Sequence, residues 1–139
     1  IGRIPVFGWF YRLSGNLIID REHARSALAA LEEAGAKMRD EKIAVWFMPE
    51  GHRNQSGTLL PFKSGAFRLA IAAQAPIVPV VAGPLTAIAD TRRKLARPGR
   101  LAVRVLEPVP TEGLTASDVA DLTARVRERM QQAWNELIG

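Results

Sequence analysis

The chain has 139 residues, of which 47% are hydrophobic and 24% are charged, and these values predict one globular domain with a full hydrophobic core. It has no cysteine, which excludes disulfide bonds and thiolate metal sites, and its two histidines, His23 and His52, are too few for a histidine metal cluster. The formal net charge of +5 favours anionic partners such as phosphates, lipid headgroups or nucleic acid.

The N-terminal residues 1–13 hold a cluster of aromatic side chains between two arginines: Phe7, Trp9, Phe10 and Tyr11. Aromatic rings flanked by cations suit a bilayer interface, where such rings lie at headgroup level. A short helix packed on the core explains the same residues, and both alternatives stay open. The chain begins with Ile1 and has no signal-peptide pattern, so we expect a natural N-terminal portion to precede it.

The next stretch predicts a strand, a helix and a second strand. Gly15-Asn16 indicates a turn before a short apolar strand at 17–19. Residues 22–40 predict an amphipathic helix, because apolar side chains recur at spacings of three and four: Ala24, Leu28, Leu31, Ala34 and Met38. Residues 43–48 are almost all apolar, as in a strand covered on both faces. Pro49 ends this strand because it has no N–H to donate.

An uncharged stretch at 69–89 is long enough to cross a membrane. Its prolines divide it, however, into the end of a helix at 64–73, a strand at 77–82 and a loop, so we interpret it as buried core. Pro79 lies inside the predicted strand, which indicates an edge position or a bulge. Residues 101–106 alternate in the manner of a strand with one less buried face.

A basic run without any acid precedes and enters this last strand: Arg92, Arg93, Lys94, Arg97, Arg100 and Arg104. We interpret it as a solvated surface loop. Contact with an anionic membrane or a nucleotide is the alternative, because each cation near an anionic surface contributes about 1 kcal/mol.

The last predicted helix begins at Thr115, with Asp118 completing a capping box. An apolar stripe runs along it: Val119, Leu122, Val126, Met130, Ala133 and Leu137. The predicted order is α-β-α-β-α-β-loop-β-α, an α/β fold with one domain and a mixed sheet flanked by helices.

The polar loop after residue 48 is the candidate binding site, since open α/β sheets bind ligands where buried strands end. Gly51 lets the backbone approach a ligand closely, Arg53 offers a fork of donors suited to phosphate, and Lys63 adds a second cation. Arg21 ends the neighbouring predicted strand. These three cations suit a phosphate clamp, although Arg21 paired with an acidic neighbour and holding loops together is an open alternative.

Two other titratable residues lie in this loop. Glu50 would repel a phosphate unless paired, so we expect it to hold an arginine or to accept N–H groups of the loop. His52 is the loop's only base that titrates near neutrality. A catalytic base needs an orienting partner and a nucleophile within reach, and no local triad is visible, so we expect an ordinary loop histidine.

Four stretches together resemble the glycerolipid acyltransferases, and most of all the 1-acylglycerol-3-phosphate acyltransferases. They are GNLIIDR at 15–21, MPEGHR at 48–53, PFKSGAF at 61–67 and PIVPVV at 76–81. The family's second motif has the form G-N-x-x-x-D-R, its third F-P-E-G-T-R-S, and its fourth an apolar I-V-P-V run. Each stretch alone is weakly specific, but the ordered set is strong and covers the chain to about residue 83.

The resemblance implies a glycerol-3-phosphate acyltransferase-like fold. It implies transfer of a fatty acyl group from an acyl thioester, carried by coenzyme A or acyl carrier protein, to a lysophosphatidic acid hydroxyl in phospholipid biosynthesis. No cofactor, metal or nucleic acid is implied; the partner is membrane lipid, at the cytoplasmic face. Six residues would form the substrate site: Arg21, Glu50, Gly51, Arg53 and Lys63 at the acceptor phosphate, and Pro79 at the acyl donor.

The chain departs from the family pattern in four places. Met48 replaces the usual Phe, His52 the usual Thr, and Asn54 stands where Ser or Thr is usual. The family's first motif, His-x-x-x-x-Asp, provides the base that takes the acceptor's proton, yet only 14 residues precede Gly15 and none is His. We therefore expect residues 1–139 to be an acyltransferase domain that lacks its N-terminal portion, with its catalytic residues upstream of Ile1.

This expectation has a direct consequence for the chain studied alone. A general base contributes roughly a hundred- to ten-thousand-fold in rate, so we expect the isolated chain to be inactive or nearly so.

Two other functions fit parts of the sequence. A catalytically inactive protein of the same fold that binds anionic lipid would share the cations and the aromatic N-terminus, and it would explain the missing His. A nucleic-acid-binding module is supported by charge alone, because the aromatic cluster lies far along the chain from the basic run and provides no interleaved stacking platform.

Overall fold

The computed structural model describes residues 24–51, 58–84, 88–90 and 95–138. Three α-helices lie in these residues: α1 (Ala24–Glu41), α2 (Gly65–Ala73) and α3 (Val119–Ile138). Four short strands lie between α2 and α3: β1 (Val80–Ala82), β2 (Ala89–Asp90), β3 (Leu95–Ala96) and β4 (Val103–Val105). The sequence predicted all three helices. The predicted strand at 17–19 lies outside the described residues, as do the aromatic cluster at 1–13 and both histidines.

The apolar stripe of α3 forms the centre of the main core, as predicted. Five of its side chains are buried: Val119, Leu122, Val126, Met130 and Ala133. They cluster with Phe67 and Ile71 of α2 and with Val81 and Val109 of the sheet. Fully burying one such side chain contributes roughly 1.5–3 kcal/mol relative to leaving it in water. The packing of α2 and of the sheet therefore depends on α3.

Helix α1 packs on α2 in a second, smaller core formed by Leu31, Ala34 and Leu69. The two helices approach closely because Gly35 has no side chain; a Cβ there would lie 3.3 Å from the Cβ of Ala72. The guanidinium of Arg39 donates to the carbonyl oxygen of Ala72, in the last turn of α2. This bond satisfies a carbonyl that has no partner within its own helix.

Residues 43–48 are not the doubly covered strand that we predicted. No strand is assigned to them, and the side chains of Trp46 and Met48 are each 70% exposed. Val45 and Phe47 pack on the second core. The run is apolar on both sides of an extended segment, but the structure covers one side only. Composition alone therefore predicted the wrong burial: four of the six residues are exposed, and the other two are partly buried.

Strands β1 and β4 pair antiparallel, with Val80 opposite Val105 and Ala82 opposite Val103. A further bridge joins Ile77 to Val109. Two residues separate Ile77 from Val80 while three separate Val105 from Val109, so the register shifts by one residue, as in a β-bulge. The shift lies opposite Pro79, which confirms the interruption that this proline predicted.

The two faces of this sheet differ. Val81 is buried against α3, whereas Val103 and Val105 are 55% and 65% exposed. The alternating strand predicted at 101–106 is thus confirmed, with its exposed face formed by valines.

The basic run is not entirely a loop. Strand β3 lies within it and pairs antiparallel with β2, which lies just before it. Residues 91–94 lie outside the described residues, and Arg97 and Arg100 are exposed. Arg104 forms an ion pair with Glu136 of α3, and both side chains are partly solvated. Such a surface pair contributes at most about 1 kcal/mol, but it occupies Arg104.

The uncharged stretch at 69–89 divides as predicted. Helix α2 ends at Ala73, Gln74 adopts a left-handed conformation after it, and the bridge at Ile77 and strand β1 follow. In the described ranges, no helix combines the length and the apolar character that a bilayer crossing requires.

Asp118 belongs to the capping box at the N-terminal end of the last helix. Its carboxylate accepts the backbone N–H of Thr115 at 2.7 Å, as the predicted capping box requires of the acid. It also accepts the Thr115 hydroxyl at 2.9 Å. These two bonds lower the pKa of Asp118, and the backbone bond has the larger effect. The first turn, Ala116–Asp118, is a 3-10 helix that leads directly into α3.

Replacing Asp118 by Ala should lower the free energy of unfolding near neutral pH. The folded-state pKa lies below the ordinary value of 3.8, so the carboxylate stabilises the fold above that value and loses this effect as the pH falls through the folded pKa. Urea titrations should therefore show the difference between wild type and Asp118→Ala shrinking as the pH falls from 6 towards 3. Glu128→Ala, at an exposed acid of α3, is the control. Equal stabilities of wild type and Asp118→Ala at pH 6 would contradict the prediction.

Candidate functional site

The candidate site begins with a tight turn at residues 48–51. The N–H of Gly51 donates to the carbonyl oxygen of Met48 at 3.0 Å. Pro49 follows Met48, and its fixed φ suits the second position of such a turn. Gly51 has a φ of +73°, in the left-handed region that favours glycine. The apolar segment 43–48 therefore ends in a hydrogen-bonded turn.

Two hydrogen bonds join the turn to the other end of the loop. The N–H of Lys63 donates to the carbonyl oxygen of Pro49 at 2.8 Å. The N–H of Leu60 donates to Oε2 of Glu50 at 3.3 Å. This confirms the expectation that the Glu50 carboxylate accepts an N–H group of the loop. The two ends of the loop are therefore fixed side by side.

The side chain of Lys63 lies over Gly51. A Cβ placed on Gly51 would be 3.1 Å from Cε and 3.2 Å from Cδ of Lys63, with Nζ at 3.7 Å. The aliphatic part of the lysine thus occupies the space that a side chain at position 51 would need. Because Lys63 is exposed, its ammonium group lies at the surface beside the turn, where an anionic group can reach it.

Phe62 directs Lys63 outward. Its ring stacks on that of Phe67, with 6.2 Å between centroids, and it packs against the main core together with Leu59. Neighbouring side chains in an extended segment point to opposite sides. Since Phe62 points into the core, Lys63 points into solvent, above the turn.

Helix α3 contacts the same segment from the other side. Arg127 donates from Nη2 to the carbonyl oxygen of Leu59 at 2.8 Å and from Nε to that of Leu60 at 3.3 Å. The side-chain oxygen of Gln131 accepts the N–H of Leu59 at 3.3 Å. Sequence reasoning did not select Arg127 or Gln131 as site residues. The only signal was their position, four residues apart and each directly after a buried residue of the apolar stripe.

The structure brings together three of the six predicted site residues: Glu50, Gly51 and Lys63. Arg21 and Arg53 lie outside the described residues, so the three-cation clamp stays a prediction. Pro79 is buried, and its carbonyl oxygen accepts the N–H of Leu106 at 2.9 Å within the sheet. Its assignment to the acyl-donor site also stays a prediction.

Comparison with known proteins identifies the family. Residues 1–83 match the family model named Acyltransferase, and this match covers more than half of the chain. The chain belongs to the acyltransferase family. Both the turn at 48–51 and Lys63 lie in the part that matches.

Two individual relatives of this chain carry the same enzyme name. The chain is 42% identical over 124 residues to human 1-acyl-sn-glycerol-3-phosphate acyltransferase beta, covering 89% of this chain and 45% of that protein. It is 35% identical over 136 residues to the Saccharomyces cerevisiae 1-acyl-sn-glycerol-3-phosphate acyltransferase, covering 96% of this chain and 45% of that protein. The chain therefore spans about half the length of the curated relatives it matches.

A solved structure has the same fold. The crystal structure of the 1-acyl-sn-glycerophosphate (LPA) acyltransferase PlsC from Thermotoga maritima matches with a TM-score of 0.72 and 26% identity. The match covers 99% of this acyltransferase chain and 53% of that one. The α/β fold class predicted from the sequence, with its resemblance to this family, is thereby confirmed.

Replacing Gly51 by Ala should disturb the fold and Lys63 together. A non-glycine residue in the left-handed region costs about 1–2 kcal/mol, and the new methyl group would displace the end of Lys63. Gly113→Ala is a matched control, since Gly113 has a φ of +75° and nothing within 4 Å of an added Cβ. Both variants should lose similar stability in urea titrations.

Only Gly51→Ala should alter the rate at which an amine-reactive reagent labels Lys63, measured by mass spectrometry after proteolysis. If labelling of Lys63 changes equally in both variants, Lys63 does not rest on the turn.

Proposed function

We propose that the complete protein transfers a fatty acyl group from an acyl thioester to the free hydroxyl of a 1-acylglycerol 3-phosphate. The observation that carries this proposal is the similarity of about nine-tenths of the chain to proteins named for that acceptor. In the reaction, the acceptor oxygen bonds to the acyl carbon, the carbon–sulfur bond breaks, and the hydroxyl proton ends on the released thiol.

The loop supports the acceptor half of this proposal. An acceptor phosphate needs a cation, and the exposed Lys63 ammonium group beside the turn offers one at the surface. Glu50 would repel the phosphate, but its carboxylate is directed to the Leu60 N–H. We propose that Lys63 binds the phosphate, together with Arg21 and Arg53 of the predicted clamp.

The donor and the location are part of the same proposal. We propose coenzyme A or acyl carrier protein as the carrier of the thioester, and the cytoplasmic face of a membrane as the place of reaction. Exposed apolar and cationic side chains occur together around β3: Leu95, Leu101, Arg97 and Arg100. Such a mixture suits the headgroup layer of an anionic bilayer.

The alternative function, a catalytically inactive protein that binds anionic lipid, shares the cationic loop. It is favoured by the exposed cations of the loop and of the region around β3, which suit an anionic lipid without any catalytic step. The two functions differ in whether the complete protein forms an ester bond. Supplying it with a labelled acyl thioester and 1-acylglycerol 3-phosphate separates them: the proposed enzyme forms the diacyl product, whereas the alternative binds the acceptor without consuming thioester.

Lys63→Ala in the complete protein should raise the KM for 1-acylglycerol 3-phosphate about tenfold or more. A hydrogen bond to a charged group contributes about 1.5–3 kcal/mol, and each 1.4 kcal/mol is about a factor of ten. The KM for the thioester should stay within about twofold. Initial rates measured with each substrate varied in turn provide both constants.

The matched control is Lys37→Ala. Lys37 is an exposed lysine of α1 whose Nζ lies 3.9 Å from Oε1 of Glu41. A monoacylglycerol without phosphate, used as a poor acceptor, should show little difference between Lys63→Ala and wild type. If Lys63→Ala behaves as Lys37→Ala does with the phosphorylated acceptor, then Lys63 does not bind the phosphate.

A further inference from the structure

Four backbone groups in front of Lys63 are all bound by side chains. Leu59 donates its N–H to Gln131, and its carbonyl oxygen accepts from Arg127. Leu60 donates its N–H to Glu50, and its carbonyl oxygen also accepts from Arg127. This dipeptide is therefore fixed from two sides, by the turn at 48–51 and by α3, without belonging to a helix or a strand.

Arg127 and Gln131 are held on a rigid support. They lie four residues apart on α3, each directly after a buried core residue, Val126 and Met130. Side chains four apart lie on the same side of a helix. Gln131 is itself oriented by Asn135, whose side-chain oxygen accepts from its amide at 3.0 Å. This side of α3 thus offers the N–H groups of Arg127 to the two carbonyl oxygens of the dipeptide. It offers the side-chain oxygen of Gln131 to the N–H of Leu59.

We infer that Arg127 and Gln131 of α3 are positioning residues for the acceptor site, which hold Leu59 and Leu60 so that Lys63 lies over Gly51. The inference rests on the proposed function. It extends the site beyond residues 1–83, where the family match ends, to the last helix of the chain. Neither residue is placed against substrate; both act through the backbone that leads to Lys63.

The chemistry of arginine suits this role. The two carbonyl oxygens belong to consecutive residues, and Arg127 reaches them with two different N–H groups of one planar fork. A lysine at this position is a single point donor and matches the pair of oxygens poorly. Without the guanidinium, the two partly buried carbonyl groups lose their partner, and the segment carrying Lys63 is free to shift.

A shift of this kind affects one substrate more than the other. Lys63 is offered to the acceptor's phosphate, so a displaced segment weakens acceptor binding and leaves the thioester site unchanged. Misplacement of a positioning group by about 1 Å lowers rates by up to roughly a hundredfold. Loss of Arg127 is thus distinct from a general loss of stability, which would reduce the amount of active enzyme and leave both KM values unchanged.

The test compares Arg127→Ala, Arg127→Lys and the control Arg125→Ala in the complete protein. Arg125 is an exposed arginine of the same helix, and its Nη1 lies 4.0 Å from Oδ2 of Asp121. Hydrogen–deuterium exchange should be faster at the amides of Leu59, Leu60 and Lys63 in Arg127→Ala than in wild type or Arg125→Ala. Exchange within α3 should be unchanged, which excludes unfolding of the helix.

The kinetic readout uses the same proteins. Arg127→Ala should raise the acceptor KM roughly tenfold or more, with the thioester KM within about twofold, and Arg127→Lys should recover part of the loss. Equal exchange at residues 59–63 in Arg127→Ala and Arg125→Ala would overturn the inference. So would faster exchange with an unchanged acceptor KM.

The proposed function has its own, separate test. If wild-type protein consumes thioester only with a different acceptor, the choice of acceptor in the proposed function is wrong. The exchange rates at residues 59–63 and the KM for that other acceptor then decide the positioning role of Arg127.

Discussion

Burial of one side of α3 is the constraint on which the described structure depends. Leu122 and Val126 are almost wholly removed from water, and around them lie residues of α2, of β1 and of the segment that pairs with Ile77. A two-stranded sheet by itself is at best marginally stable in water. The β1–β4 pair and the short α2 persist because each buries its apolar side against the same long helix, which also presents Arg127 to the loop.

This arrangement explains how residues 59–63 keep a defined position without belonging to a helix or a strand. Backbone groups outside helices and sheets still need partners when they are partly buried. Here the partners of Leu59 and Leu60 are side chains, those of Glu50, Arg127 and Gln131. The N–H groups of Lys63 and Gly51 instead donate to backbone carbonyl oxygens, those of Pro49 and Met48 respectively. The loop is therefore as well determined at its ends as a strand pair would be, yet it leaves the Lys63 ammonium group in solvent.

Local patterns in the sequence predicted those features that local physics decides. The stripe on α3 follows from helical periodicity, the capping acid Asp118 from the needs of a helix N-terminus, and the interruption at Pro79 from its missing N–H. Residues 43–48 show the limit of this reasoning. Every residue there suits a buried strand, but whether Trp46 is covered depends on distant chain segments, which composition does not report.

The site divides in the same way. Glu50, Gly51 and Lys63 were predicted because their chemistry and motif are local. Arg127 was not, since an arginine beside an apolar stripe is ordinary on a surface helix, and its task depends on contact with residues 67 and 68 positions earlier in the chain. The residue pattern within one helix does not predict contacts with a segment so distant in the sequence.

Gly51 and Lys63 illustrate why the arrangement, and not the residue types alone, matters for binding. A lysine side chain is flexible, and ordering it opposes binding through lost rotamer freedom. In this structure, its aliphatic part already rests on the bare backbone of Gly51, and its own N–H is bound to Pro49. In the proposed function, this part of the ordering precedes phosphate binding, and it increases the affinity that the ammonium group would contribute. In that proposal, Gly51 acts through the space that it leaves for the side chain of Lys63. The two positions are consequently coupled: a side chain at 51 removes the surface on which Lys63 rests, and a shorter residue at 63 removes the Lys63 ammonium group from beside the turn.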